Sequence, residues 1–261
     1  MPSNTARRPD WAGIALFYAI ACAITWPLLA WRDFAPDSWA ASPIPPWLRP
    51  LLYGWGPGIA GLIVLRLRAP QHQRVITLLG TSPGRSLLAV LGPILLVAAV
   101  APAQTAAHPH LAGLLAGVHA VVYAFGEELG WRGYLQDALR PLAPAPRYVT
   151  LGLFWGVWHL AGFAGQGTLL AMAGRLALFY VILIASSAGI GTAVDRSRSL
   201  LVATACHLFF TFTEISSGRD RQLLVGALIP LVVLLVHFWP RTPAPGTADG
   251  PPVRSRAGTD A

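Results

Sequence analysis

An all-α polytopic membrane bundle of about eight transmembrane helices is the fold expected of this chain, on three grounds. Of its 261 residues, 54% are hydrophobic and only 11% charged, against about 25% in ordinary soluble domains. Mean hydropathy is +0.55. Apolar runs near the ~20 residues needed to cross a bilayer recur along the chain. Its charge of +8 comes from 19 basic residues, all of them arginine, scattered between those runs. A nucleic-acid surface would gather such charges on one soluble face, so no nucleic-acid partner is expected. The partner implied is the lipid bilayer.

The first run, 11–31, follows Arg7 and Arg8. It exceeds the h-region of a signal peptide, about 7–15 residues, and no clear cleavage site follows, so it reads as a retained span. Segment 32–50, with Pro36, Pro43, Pro45, Pro46 and Pro50, reads as an external loop. Spans then follow at 51–66, 86–103, 110–128, 149–165, 174–194, 199–217 and 222–239. Residues 1–239 thus form one membrane domain, and the Pro- and Gly-rich tail 240–261 reads as disordered and cytoplasmic. With the N-terminus inside, fourteen arginines fall on the cytoplasmic side and five outside. That excess places both termini in the cytoplasm. Cys22 and Cys206 lie inside apolar runs and offer no disulfide framework.

Chemistry concentrates on three runs. Glu127 and Glu128 stand side by side in GEELGWRGYL, in a chain with three glutamates. Ionisable groups inside spans are costly and mark functional sites by default. On a helix Arg132 lies over Glu128 in the favoured i,i+4 direction. The expectation is therefore that Arg132 neutralises Glu128 and leaves Glu127 as a base. His159 and His207 fall roughly 12–15 Å into two later spans from the same side. Trp155 shares the face of His159, while Thr211 and Glu214 continue the stripe of His207.

Other polar residues read as packing. His108 and His110 flank Pro109 in a short loop whose spacing is too little for a metal site. His119 and Tyr123 suit interhelical contacts, and His237 and Trp239 read as interface anchors. Glu214 has Arg219 and Arg221 nearby for a local salt bridge. The chain lacks H-E-x-x-H, a G-x-S-G serine motif and a pair of intramembrane aspartates. Intramembrane proteolysis would therefore rest on glutamate and histidine.

These motifs resemble the CAAX-processing and bacteriocin-processing (CPBP, formerly Abi) intramembrane proteases. The family's E-E-x-x-x-R is matched by Glu127, Glu128 and Arg132, its F-x-x-x-H ends at His159, and its H-x-x-x-N begins at His207. GWGPGIAGLIV looks like bacterial members too, and the motif core covers 120–215. Trp155 stands where the pattern has Phe, and Thr211 where it has Asn.

The resemblance implies a CAAX prenyl protease-like endopeptidase of the bacterial inner membrane, acting on a membrane-associated or lipidated peptide or protein. Glu127, helped by His159, would activate water, and His207 with Thr211 would stabilise the oxyanion. Zinc stays open: Glu127, His159 and His207 are chemically acceptable ligands, yet they suffice for metal-free general-base catalysis. The alternative is a non-proteolytic membrane scaffold or bacteriocin-immunity protein with the same fold.

Overall fold

The computed structural model describes residues 8–68, 74–100, 108–163 and 169–215, together with positions 219, 223, 238 and 239. Helix α1 (Trp11–Phe34) opens at Asp10, whose carboxylate accepts from the Gly13 amide at 3.1 Å. Such a cap satisfies an otherwise orphaned N–H. The same carboxylate holds Arg68 at 2.6 and 2.9 Å, so the ends of two helices are pinned together. Ile14, Phe17 and Ala21 bury one stripe of α1, the spacing of a helix with one face inward.

The segment expected as an external loop is partly helical. Helix α1 runs on to Phe34, and α2 (Pro36–Ala40) and α3 (Arg49–Gly54) follow. Pro36 and Pro50 sit in the first turns of α2 and α3, where a missing N–H costs nothing. They start helices rather than prevent them. Helix α4 (Gly56–Leu67) continues after a break at Trp55.

Helix α4 then crosses α6 (Pro109–Gly130) at backbone contact. A Cβ on Gly58 would stand 2.5 Å from the Gly126 carbonyl oxygen, and one on Gly130 would stand 2.4 Å from Pro57. Only glycine permits this approach, as in small-residue helix crossings within membranes. The crossing brackets Glu127 and Glu128. Past Gly130 the helix widens into a π-helical turn, Trp131–Gln136, every residue of which is buried.

Helix α5 (Pro83–Val100) packs on α6 and on α9 (Leu200–Ile215). Helix α7 (Pro144–His159) packs on α8 (Leu169–Ser197). The 149–165 span is thereby corrected. Helix α7 starts earlier, its α-helical part ends on His159, and a 3-10 turn (Leu160–Phe163) follows. At 1.5 Å per residue α7 is about 24 Å long, short of a bilayer core of about 30 Å.

Among the described residues four helical stretches are long and apolar enough to cross a membrane: Trp11–Phe34, Arg49–Leu67, Pro109–Gln136 and Met172–Ser197. Pro83–Ala99 and Leu200–Phe209 are apolar but shorter. Leu88, Leu95, Leu115, Leu178 and Val181 face outward, the apolar exterior of a multi-pass membrane protein. The 222–239 run, apart from Leu223, Phe238 and Trp239, lies outside the described residues, as does the tail expected to be disordered.

Candidate active site

Helix α6 ends with both glutamates buried, Glu127 at 1% and Glu128 at 0% exposure. The π-helical turn then carries Arg132, also at 0%. Its guanidinium Nη1 donates to Glu128 Oε1 at 2.7 Å, the i,i+4 pair expected from the spacing. A wider turn next to buried charge is a common mark of a functional segment.

The second partner of Glu128 was not legible in the spacing. His207 Nδ1, from α9, meets the same Oε1 at 2.6 Å. Glu128 is therefore more than the ion-pair partner of Arg132, because it also holds the His207 ring. Glu127 has a different partner: its Oε2 accepts from the Trp155 indole N–H of α7 at 3.0 Å.

The Trp155 ring lies at the centre of the group. Arg132 is 4.8 Å from its centroid, the His207 ring 5.3 Å and the His159 ring 6.0 Å. His159 is further walled by Trp158 at 4.7 Å and Phe179 at 5.3 Å. Glu127 and His207 are near enough to act on it electrostatically. Three elements remote in sequence thus bring Glu127, Glu128, Arg132, His159 and His207 together.

Helix α1 holds α7 in place. Tyr18 donates to the Phe154 carbonyl and Trp26 to the Trp158 carbonyl, each at 3.0 Å. Both bonds fall within the turns bearing Trp155 and His159. Thr211 lies one turn beyond His207, and its buried hydroxyl has no hydrogen-bond partner among the described residues. It is not bonded to the carbonyl four residues back, as Thr204 is to Leu200 at 2.9 Å.

The remaining polar candidates lie elsewhere. His119 bonds the Trp47 carbonyl at 2.6 Å, and His110 bonds that of Ala98 at 2.8 Å. Tyr123 stacks edge-on to Tyr53. Trp239, expected as an interface anchor, is buried and donates to Thr81 at 3.3 Å. The side chain of Glu214, its expected salt bridge and His237 lie outside the described residues. Cys22 and Cys206 are buried and free.

A second polar network went unread in the sequence. Asp195 takes Arg147, Tyr148 at 2.7 Å and Gln136 at 3.0 Å. Asp137 binds Arg140 at 2.7 Å and accepts from the Val75 and Ile76 amides at 2.8 and 3.0 Å. Between positions 38 and 219 these are the only two aspartates, which was the available signal. The network fastens the far end of the π-helical turn that follows the glutamates.

A three-ligand zinc site is not pre-assembled among the described residues. Glu127, His159 and His207 make no three-ligand group as placed, nor do any other His, Cys, Asp or Glu among the described residues. Glu127 Oε2 is held by an indole and His207 Nδ1 by a carboxylate, which leaves Glu127 Oε1 and His207 Nε2 as donor atoms. Such second bonds orient a ligand without closing a coordination sphere.

A search of curated proteins returned no match. Residues 109–213 match the family model described as type II CAAX prenyl endopeptidase Rce1-like. The matched segment runs from the start of α6 to near the end of α9, and so contains the whole constellation just described.

Proposed function

We propose that this chain, whose residues 109–213 match the type II CAAX prenyl endopeptidase Rce1-like model, is an intramembrane endopeptidase with Glu127 as its base. The observation that carries this reading is the meeting of Glu127, Glu128, His159 and His207 from α6, α7 and α9 around one buried ring. A buried acid pair of this kind has no evident folding purpose, because apolar packing is cheaper.

The Glu127 oxygen not held by the indole takes a proton from water, with His159 orienting that water from its aromatic wall. The water oxygen attacks the scissile carbonyl carbon, and a tetrahedral oxyanion forms. Glu127 then returns the proton to the leaving amide nitrogen as the C–N bond breaks. The products are one carboxylate and one amine.

Two buried carboxylates face a single guanidinium, so an imidazolium at His207 balances the charge. With Nδ1–H given to Glu128, only the imidazolium has an Nε2–H left to donate. Glu128 therefore prepares His207 as an oxyanion donor, with the Thr211 hydroxyl beside it. The substrate class is a membrane-associated or lipidated peptide cleaved near the cytoplasmic face, with both termini of the enzyme on that side.

The test is expression of Glu127→Ala in the native host and identification of peptides that accumulate uncut relative to the parent. An unchanged peptide profile together with full activity of Glu127→Gln on a farnesylated CAAX peptide would sink the reading. The scaffold alternative draws on Thr211, which supplies one short hydroxyl where the family pattern has an amide. That reading gains if neither Glu127 variant differs from the parent.

A further inference from the structure

Within this reading of Glu127 as the base, we infer that the Trp155 indole N–H is a positioning donor for its carboxylate. The motif this helix matches has Phe at the same place, and a phenyl ring has no hydrogen to give. In this chain the ring does two things at once. Its faces and edge pack against Arg132, His207 and His159. Its nitrogen donates to Glu127 Oε2 at 3.0 Å.

The bond is not simply what any buried indole does here. Trp131 and Trp158 are also nearly fully buried, and neither Nε1 has a hydrogen-bond partner among the described residues. Trp155 alone of these three is aimed at an acid. Trp155 is 2% exposed and Glu127 1%, so water does not dilute the contact.

A glutamate's terminal torsion is broad and leaves the carboxylate plane undetermined. Holding Oε2 against a ring that packs on Arg132, His207 and His159 fixes that plane. It thereby sets where the other oxygen points. The effect belongs to proton transfer rather than to substrate binding, so it acts on kcat and leaves KM alone.

Trp155→Phe keeps the aromatic packing and deletes the donor. On a fluorogenic farnesylated CAAX peptide, kcat should fall about ten- to a hundredfold, the worth of one hydrogen bond to a charged group. KM should stay within about twofold, since uniform binding is untouched. A space-filling role alone would predict an unchanged kcat in a stable variant.

A second measurement needs no turnover. In the full-length protein labelled with 15N-tryptophan in detergent, the indole resonance missing from Trp155→Phe should move upfield in Glu127→Gln. The reason is that a charged acceptor becomes a weaker neutral one. Should Trp155→Phe fold poorly, Trp155→Tyr makes the same assignment. A resonance that ignores Glu127→Gln overturns the inference, as does a Trp155→Phe enzyme with the parent's kcat. Full turnover by Glu127→Gln would instead remove the base assignment, and the resonance would still report whether the indole holds that carboxylate.

Discussion

Replacing Glu127 by Gln preserves its volume and leaves an oxygen for the Trp155 indole, so fold and yield should survive while turnover is lost. Glu128 and Arg132 behave differently because each is fully buried and paired. Removing one strands the other, at a cost of about 3–5 kcal/mol. Glu128→Ala and Arg132→Ala should both lower the folded fraction, read as monodisperse protein in detergent. Equal losses across all three variants would contradict the division of roles. Thr211 offers a finer test, since its hydroxyl is not spent on its own helix. Thr211→Val should lower kcat by up to about 10²–10³, the range for losing one oxyanion donor. Thr211→Asn, which restores a longer amide, should raise kcat with KM unchanged. A Thr211→Val enzyme as fast as the parent would remove Thr211 from catalysis. The Glu128–Arg132 pair was readable because it is local, one helical turn apart. The Glu128–His207 and Glu127–Trp155 bonds were not, because their partners are 79 and 28 residues away.

At the scale of elements, the glutamates are placed by a helix crossing more than by their own helix. Gly126 and Gly130 flank them and meet Trp55 and Pro57, while Gly58 meets the Gly126 carbonyl. An added methyl at Gly130 has backbone on the far side, which cannot swing away as a side-chain tip would. Gly130→Ala should therefore destabilise by about 1–3 kcal/mol, the usual cost of overpacking. It should also lower activity in whatever protein remains folded, since the crossing sets the pitch of the Glu127 turn. Thermal unfolding in detergent, compared with Gly84→Ala as a control in open space, measures the first effect. The glycine spacing was visible in GEELG and GWGPGIAG. Which glycine faced which helix was not, because either run has several partners it fits equally well.

For the whole molecule, the polar network on Asp137 and Asp195 joins the 75–76 segment, the π-helical turn and the facing ends of α7 and α8. Arg147 is 4% exposed and depends on Asp195 for its charge partner. Asp195 itself is partly open, so Asp195→Ala should cost toward the lower end of the buried-pair range, about 3 kcal/mol. The expected readout is a lower melting temperature. A silent Asp195→Ala would show that the apolar packing of α7 on α8 alone holds this end. What the sequence by itself determined was whatever composition and short spacing encode: an all-α membrane protein, the positions of most of its helices, the local ion pair and the identity of the three motif runs. Those follow from hydropathy and from the 3.6-residue turn, which act over a few residues. Only the tertiary structure decided that Glu128 meets His207, that Trp155 donates to Glu127, that α7 ends at His159, and that two lone aspartates fasten the turn between them. Each of these is a contact between distant segments, and its geometry depends on how several packed helices share one interior.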